Sequence, residues 1–353
     1  RFATDSQTLH LNWPNKKTRA QIAVHHLCTA HANTGFIVAA HLGLDPAVNL
    51  PELEAEMEAC GDFTKPRAFR KHGRVWSASE FKTYLDKITR SVQIHPMEAP
   101  DVELDLQLPH KGTLIRQDIT QIAHAFLLRH FLGNGDERFV FVLDADPGLA
   151  VAFVSAFAPW IRDGRADVIV VQFDKNQSND QRNMLVNEGR SALETATGLS
   201  RSQWEQLTAH QAIDATDQCV EQMLRGKAIS EPFFWPFHTK SEPLRRVRIL
   251  TDRTTMDPRR LARVMRLATL RSVDAYFHKV RSNLRFAARP GHTPSRNGRA
   301  WDRHYLYNPE TMMKVTEIYR FHHNWMGSNA TKETPAMKLG RAKGKIRPNK
   351  FFA

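Results

Sequence analysis

The alternation of apolar and polar positions predicts three strands at the start of the chain. Residues 2–13 alternate well enough to form a strand, and Pro14 opens a polar turn after them. A second strand is predicted over about 21–29 and a third over 36–42, with a turn at 31–35 between them. Alternation with a period of two is typical of strands that bury one face. The chain therefore opens with a three-stranded antiparallel meander.

The middle of the chain predicts two further strands, each preceded by helical sequence. Residues 116–132 have helical spacing, and the run RFVFVL at 138–143 is continuously apolar, as expected of a strand buried on both faces. A helix to about residue 158 and a second apolar strand over 167–173 follow. This order predicts an α/β fold with a mixed five-stranded sheet flanked by helices.

The stretch from Asp257 to Pro290 predicts one long amphipathic helix. Asp257 can cap the first turn, Pro258 suits the first helical position, and Pro290 ends the pattern. Apolar residues recur every three to four positions between them. These positions are Leu261, Val264, Leu267, Leu270, Val273, Phe277, Val280 and Leu284.

Four segments are predicted along the chain. They are the first part of the core at 1–175, with an insertion at about 46–112; a mostly helical insertion at 176–256; the last core helices at 257–326; and a basic, flexible tail at 327–353.

Composition favours a soluble protein with a full core. The chain has 353 residues, of which 41% are hydrophobic, and its apolar runs are far too short to cross a bilayer. Its three cysteines are widely spaced, which excludes a disulfide framework and favours a reducing cytoplasm. Arg1 leads straight into strand-like sequence, so we expect a fragment boundary at this end.

The positive charge is concentrated in one segment. The chain carries a net charge of +13, and residues 245–303 hold 16 Lys and Arg against four Asp. Most of these cations are Arg, whose guanidinium can bind phosphate oxygens in pairs. The segment predicts contact with nucleic acid, and the alternative is a solvated basic face that maintains solubility.

Carboxylates occur where a sheet protein places ligands. Asp5 lies within the first strand, and Asp144 and Asp146 follow the fourth strand. If these strands are adjacent, the carboxylates converge and favour a Mg²⁺ site. Asp274 lies beside the apolar stripe of the long helix, with Arg281 two turns later on the same face. The alternatives are a solvent-facing Asp5 on an edge strand and a charge cluster on the helix surface.

Several stretches resemble one bacterial insertion-sequence lineage of DDE transposases. They are ATDSQTLHLNWPNKK, LCTAHANTGFIVAAHL, LDADPGL, ILTDR, VDAYFHKVRSNL, YLYNPETMMKVTEIYRFHHNW and TPAMKLG. The similarity spans nearly the whole chain and extends to the ribonuclease H-like core shared with retroviral integrases. In that group the late helix presents a Glu with a Lys or Arg seven residues later, and here the matching positions are Asp274 and Arg281.

The resemblance implies a metal-dependent enzyme that cleaves and joins DNA during transposition. Two Mg²⁺ or Mn²⁺ ions would be held by Asp5, Asp146 (or Asp144) and Asp274, with Glu188 and Glu242 as less favoured third ligands. Phosphate contacts would come from Arg281, Lys279, Arg285, Arg271 and Arg289. Asp is one methylene shorter than Glu, so Asp274 can still ligate a metal only with a tighter geometry.

The expected partners are the transposon ends and target DNA, bound by a homo-oligomer in the bacterial cytoplasm at the nucleoid, without a membrane. Two other functions stay open. One is a metal-dependent DNA nuclease or resolvase on the same fold, which cuts without joining. The other is a catalytically inactive, domesticated DNA-binding protein.

Overall fold

The computed structural model describes most of the chain. The described residues are 1–12, 20–94, 106–133, 137–174, 177–225, 232–251, 256–288, 303–327, 332–347 and 349. The strands are β1 (Phe2–Leu11), β2 (Ile22–His31), β3 (Ile37–Leu42), β4 (Leu44–Asp45), β5 (Thr113–Leu114), β6 (Phe139–Asp144), β7 (Ala166–Gln172), β8 (Phe233–Phe234) and β9 (Arg246–Ile249).

The described residues also form a series of helices. They are α1 (Leu50–Ala59), α2 (Ala78–Ile94), α3 (Gln117–Leu132), α4 (Pro147–Ala156), α5 (Ala158–Arg162), α6 (Asn179–Thr197), α7 (Arg201–Gln206), α8 (Ala209–Leu224), α9 (Pro258–Leu267), α10 (Arg271–Asn283), α11 (Pro309–Phe321) and α12 (Pro335–Lys338). Shorter 3₁₀ turns lie at Asp62–Thr64, Arg67–Phe69 and Arg285–Ala287, and a π-helical turn lies at His322–Met326.

The main sheet is mixed and has seven strands in the order β3-β2-β1-β6-β7-β9-β8. β1 runs parallel to β6 and β6 parallel to β7, whereas β9 runs antiparallel to both β7 and β8. The α/β class and the mixed sheet are confirmed. The predicted count of five strands is wrong, because β9 and β8 extend the sheet beyond β7. Val247 and Ile249 of β9 are buried while Arg246 is exposed, as expected of a strand with one covered face.

Two compact units make up the chain. The first comprises Arg1–Asp5, Ala30–Asn33 and Ala125–Asp274, and the second comprises Ser6–Thr29, Thr34–His124 and Ala275–Ala353. Aromatic packing fills the core of the first unit. Phe141 of β6 lies 4.1 Å from Phe157 and 5.5 Å from Phe153, measured between ring centroids. All three rings are fully buried, which explains the continuous apolar run of β6.

The second unit contains the predicted insertion at 46–112. The short strands β4 and β5 pair antiparallel at its two ends. Gly112 adopts φ +76°, and a Cβ at this position would lie 2.5 Å from the Asp45 carbonyl oxygen. Glycine is therefore required where the insertion returns to β5. Within the insertion, Leu53 and Met57 of α1 pack with Val75.

The predicted single helix from Asp257 to Pro290 is wrong, because the chain forms two helices there. Its start is as predicted, since the Asp257 carboxylate accepts the Arg260 N–H at 2.9 Å. α9 ends at Leu267, and α10 begins at Arg271, whose N–H bonds the Thr269 hydroxyl at 3.3 Å. Pro290 lies outside the described residues. The apolar period continues through the interruption, so periodicity alone misses it.

A buried ion pair holds the start of α10. The Glu242 carboxylate accepts the Leu270 N–H through Oε1 at 3.0 Å and the Arg245 guanidinium through Oε2 at 3.0 Å. Both side chains are at most 5% exposed. Arg245 in turn lies over the Trp235 ring, 4.4 Å from its centroid. A carboxylate at a helix N-terminus satisfies a free amide and is favoured by the helix dipole.

Buried histidines hydrogen bond in the second unit. His124 bonds the Thr29 hydroxyl through Nε2 at 2.7 Å and Nδ1 of His41 through its own Nδ1 at 2.7 Å. Only one of the two facing nitrogens can carry the proton, so the pair suits neutral rings. Burial lowers the pKa of His26 and of His323 to about 4, and burial holds the pKa of His124 well below its usual value.

We expect the protein to lose stability in acid because of these rings. Between about pH 6.5 and pH 4 the unfolded chain binds protons that the folded chain does not, so stability is complete above this window and falls within it. Each buried histidine lowers the free energy of unfolding by about 1.4 kcal/mol per pH unit there. Urea unfolding across this window measures the slope.

Replacing His124 with Gln should reduce the slope of unfolding free energy against pH by about 1.4 kcal/mol per pH unit, which corresponds to one proton. The control is His210→Gln, because the His210 side chain is 87% exposed. If the unfolding free energy depends equally on pH in wild type and in His124→Gln, buried His124 is not a source of the acid sensitivity.

The buried ion pair at the start of α10 predicts a large effect of its removal. Glu242→Ala leaves the Arg245 charge buried and the Leu270 amide unpaired, so the free energy of unfolding should fall by about 3–5 kcal/mol. The control is Glu205→Ala, which removes an exposed ion pair with Arg201 and should cost less than about 1 kcal/mol. Similar losses for the two variants in urea unfolding would refute the structural role of Glu242.

Candidate active site

The parallel pairing of β1 with β6 brings two predicted carboxylates together. Thr4 lies opposite Leu143 in the register, so Asp5 and Asp144 take the next position on the two strands. Residues level with each other on parallel strands share a face, and neighbouring strands are about 4.8 Å apart. Asp5 is only 3% exposed, and Asp144 is half-buried at the end of β6. The register therefore places one buried and one half-buried carboxylate level with each other on adjacent strands.

Asp146 has a local structural role beyond the end of β6. Its carboxylate accepts the Gly148 N–H at 2.8 Å and thereby caps α4, which has Pro147 at its first position. The Asp146 N–H also donates to the Asp144 carbonyl at 2.7 Å, which forms a tight turn. This capping role accounts for Asp146 and the following Pro-Gly without a metal. The strand register therefore favours Asp144 as the partner of Asp5.

Asp274 lies in the first turn of α10 and is half-buried. Its N–H donates to the Leu270 carbonyl at 3.0 Å, so its position follows from the capped start of the helix. The four predicted catalytic carboxylates, Asp5, Asp144, Asp146 and Asp274, all belong to the first compact unit.

The donor chemistry of this site suits a metal only in part. Carboxylate oxygens are the ligands that Mg²⁺ and Mn²⁺ prefer, and Asp5 and Asp144 supply them from adjacent strands. However, no group of three or more His, Cys, Asp and Glu side chains that could hold a metal ion occurs among the described residues. Asp5 and Asp144 are therefore two neighbouring candidate ligands, and the described residues do not place a third ligand in a group with them.

The two less favoured third ligands differ in their surroundings. Glu242 uses both carboxylate oxygens in the buried contacts at the start of α10, which gives it a structural role. Glu188 is exposed on α6. The next residue, Gly189, packs so closely on the 236–238 loop that a Cβ would lie 2.6 Å from the His238 nitrogen. Neither position carries an observation that points to a metal.

The predicted phosphate contacts lie mostly at the surface. Lys279, Arg285 and Arg271 are exposed, and Arg289 lies outside the described residues. Arg281 is half-buried, and its Nη1 donates to the Gln7 side-chain oxygen of β1 at 2.9 Å. Arg281 is thus fixed against the sheet.

Arginines of α9 make ion pairs within the first unit. Arg259 pairs with Asp214 at 3.3 Å, Arg260 with Asp167 at 2.8 Å, and Arg266 with Asp217 at 2.6 Å. These three arginines and Arg263 line a cleft of about 760 Å³. Since carboxylates neutralise three of these charges, the basic segment carries less free charge than its composition suggests.

Sequence reasoning missed two sets of residues. The capping role of Glu242 joins residues far apart in the chain, so no local pattern indicates it. The hydrogen-bonded pair of His41 and His124 also joins distant elements, although both residues lie in segments whose helical or strand character is readable from the sequence.

No helix within the described ranges is long and apolar enough to cross a membrane. Comparison of the chain with models of protein families, with curated proteins and with solved structures finds no match in any of the three.

Proposed function

We propose that the chain is a DDE-type transposase that cleaves DNA strands and joins them to a target with the help of Mg²⁺ or Mn²⁺. The observation that supports this most is the parallel register that sets Asp5 level with Asp144. The order of elements, a meander followed by two helix-strand steps, agrees with the ribonuclease H-like core that the sequence resemblance implies. The proposal rests on these two agreements together.

The residues of the chain have distinct roles in this proposal. Asp5 and Asp144 would hold the metal ions from the sheet, and Asp274 would complete the ligand set from the first turn of α10. When bound, the metal ions would supply Lewis acidity at a phosphate and lower the pKa of an attacking water or 3′-hydroxyl. Asp146 would fix the start of α4, directly after the strand that carries Asp144.

The basic residues of α10 and of the 3₁₀ turn that follows it would contact the DNA. Arg281, fixed by Gln7, would bind a phosphate, and the exposed Lys279, Arg285 and Arg271 would bind the DNA backbone without regard to sequence. The same proposal makes transposon ends and target DNA the partners, and a homo-oligomer in the bacterial cytoplasm the active form.

A catalytically inactive DNA-binding protein is the second candidate function. It is favoured by one observation, which is that the described residues do not gather a third ligand around Asp5 and Asp144. Such a protein would bind DNA through its basic surface, and this binding would not depend on the Asp5 and Asp144 carboxylates.

Aspartate variants test the proposal and the choice of second ligand together. Asp5→Asn, Asp144→Asn and Asp274→Asn should each lower Mg²⁺-dependent strand cleavage and transfer by at least about 100-fold, since loss of even an outer-shell partner of a metal costs 10–100-fold. Asp146→Asn is the matched control and should keep most of the activity, because Asn caps a helix as well as Asp does. Gel analysis of cleaved and joined oligonucleotides measures both steps.

The outcomes separate the candidate functions. Cleavage without joined products, even when 3′-hydroxyl ends are supplied, would favour the nuclease or resolvase. DNA binding without cleavage by wild type, unchanged in every Asp variant, would favour the inactive protein. Loss of activity in Asp146→Asn but not in Asp144→Asn would reverse the assignment of the second ligand.

A further inference from the structure

A basic loop at Lys65–Arg74 presents one aromatic ring to solvent. Phe69 is 76% exposed, although it lies in a 3₁₀ turn and not at a chain end. The ten-residue sequence KPRAFRKHGR contains no acidic residue. Its cations are Lys65, Arg67, Arg70, Lys71 and Arg74. Phe69 is the most exposed large apolar side chain in the described part of the chain.

Buried contacts fix the shape of this loop. The Asp62 carboxylate is fully buried and accepts the Lys71 N–H at 2.9 Å and the His72 N–H at 2.8 Å. A Cβ on Gly73 would lie 2.6 Å from the Arg67 carbonyl oxygen, so the two ends of the loop approach closely. Because the base of the loop is fixed, the exposure of Phe69 is set by the fold.

The cations that would contact phosphate already take part in exposed ion pairs. Arg67 pairs with Asp118, and the two side chains are 47% and 39% exposed. Lys71 pairs with Glu56 at 3.0 Å and Arg74 with Asp45 at 3.4 Å, and both basic side chains are 60% exposed. Exposed ion pairs of this kind contribute little stability, so phosphate groups can displace the carboxylates. Arg70 differs, because its side chain is only 15% exposed where it pairs with Glu80, and it serves the structure of the loop.

The chemistry of the loop fits nucleic acid better than a lipid surface. Segments that insert into a membrane interface present a broad apolar face. Here Phe69 is the one exposed phenyl ring within 65–74, flanked by Ala68 and Arg70, and the ring of Phe63 in the preceding 3₁₀ turn is only 40% exposed. An aromatic ring beside phosphate-binding cations is the combination that binds unpaired nucleotides, with the ring on a base and the cations on the backbone.

We propose that Lys65–Arg74 is a DNA-binding loop in which Phe69 stacks on an unpaired base while Arg67, Lys71 and Arg74 contact the adjoining phosphates. The inference rests on the proposed function, since DNA is the proposed substrate. It adds a contact outside the carboxylate site and specifies its ligand as DNA with unpaired bases.

Binding of oligonucleotides by the full chain tests the loop. The probes are a single-stranded oligonucleotide with 2-aminopurine and a blunt duplex of the same sequence. Phe69→Ala should weaken single-strand binding about tenfold and abolish quenching of the 2-aminopurine, whereas Phe69→Trp should retain both, because stacking on an aromatic ring is lost only with the ring. Duplex affinity should change less than twofold.

Phe131→Ala is the matched control, since it removes a phenyl ring that is 60% exposed on α3. Thermal unfolding of Phe69→Ala should equal that of wild type. Unchanged single-strand binding in Phe69→Ala would overturn the inference, as would equal weakening in Phe131→Ala. Absence of oligonucleotide binding by wild type, with Phe69-dependent binding to phosphatidylserine vesicles instead, would overturn it in favour of a membrane surface.

Strand cleavage measured on the same variants keeps this inference separate from the proposed function. If the chain cleaves DNA with metal and Phe69→Ala does not change single-strand binding, the proposed role of the loop is wrong and the transposase proposal is unaffected. Phe69-dependent binding without cleavage would support the loop and overturn the transposase proposal.

Discussion

The parallel pairing of β1 with β6 is the constraint on which the candidate site depends. It joins the opening strand to the buried strand in the middle of the sequence and sets Asp5 level with Asp144. Because side chains in a sheet alternate, a shift of one residue in this register would turn one carboxylate to the opposite face. The buried rings of Phe141 and Phe157 help to fix the register, since β6 cannot slide without disturbing their packing.

The start of α10 depends on a second, independent contact. Glu242 and Arg245 bury a charge pair whose remaining acceptor caps the Leu270 amide at the start of α10. A buried ion pair is costly to form, so its stabilising effect is realised only because each oxygen has a partner. The position of Asp274 in the first turn of α10 therefore depends on Glu242 and Arg245, which lie just before β9, and does not follow from the apolar period of α10.

The sequence predicted what local patterns determine. The strands β1, β2, β3, β6 and β7 follow from alternation or from continuous apolar runs, and the helical segments follow from spacing and capping residues. The two-residue strand β8 has no readable period. The break before Arg271 escaped prediction because the cap comes from Glu242, 28 residues earlier. The choice between Asp144 and Asp146 depends on register and on a helix cap, which alternation does not encode.

We propose that Asp5 and Asp144, with Asp274, would hold the metal ions of a DNA-joining enzyme. Anomalous diffraction from crystals of the chain soaked with Mn²⁺ tests it most directly. We expect a Mn²⁺ peak within ligand distance of Asp5, Asp144 and Asp274, with the Asp146 carboxylate still on the Gly148 amide. Crystals that bind Mn²⁺ elsewhere, or that show no peak between Asp5 and Asp144, would contradict it.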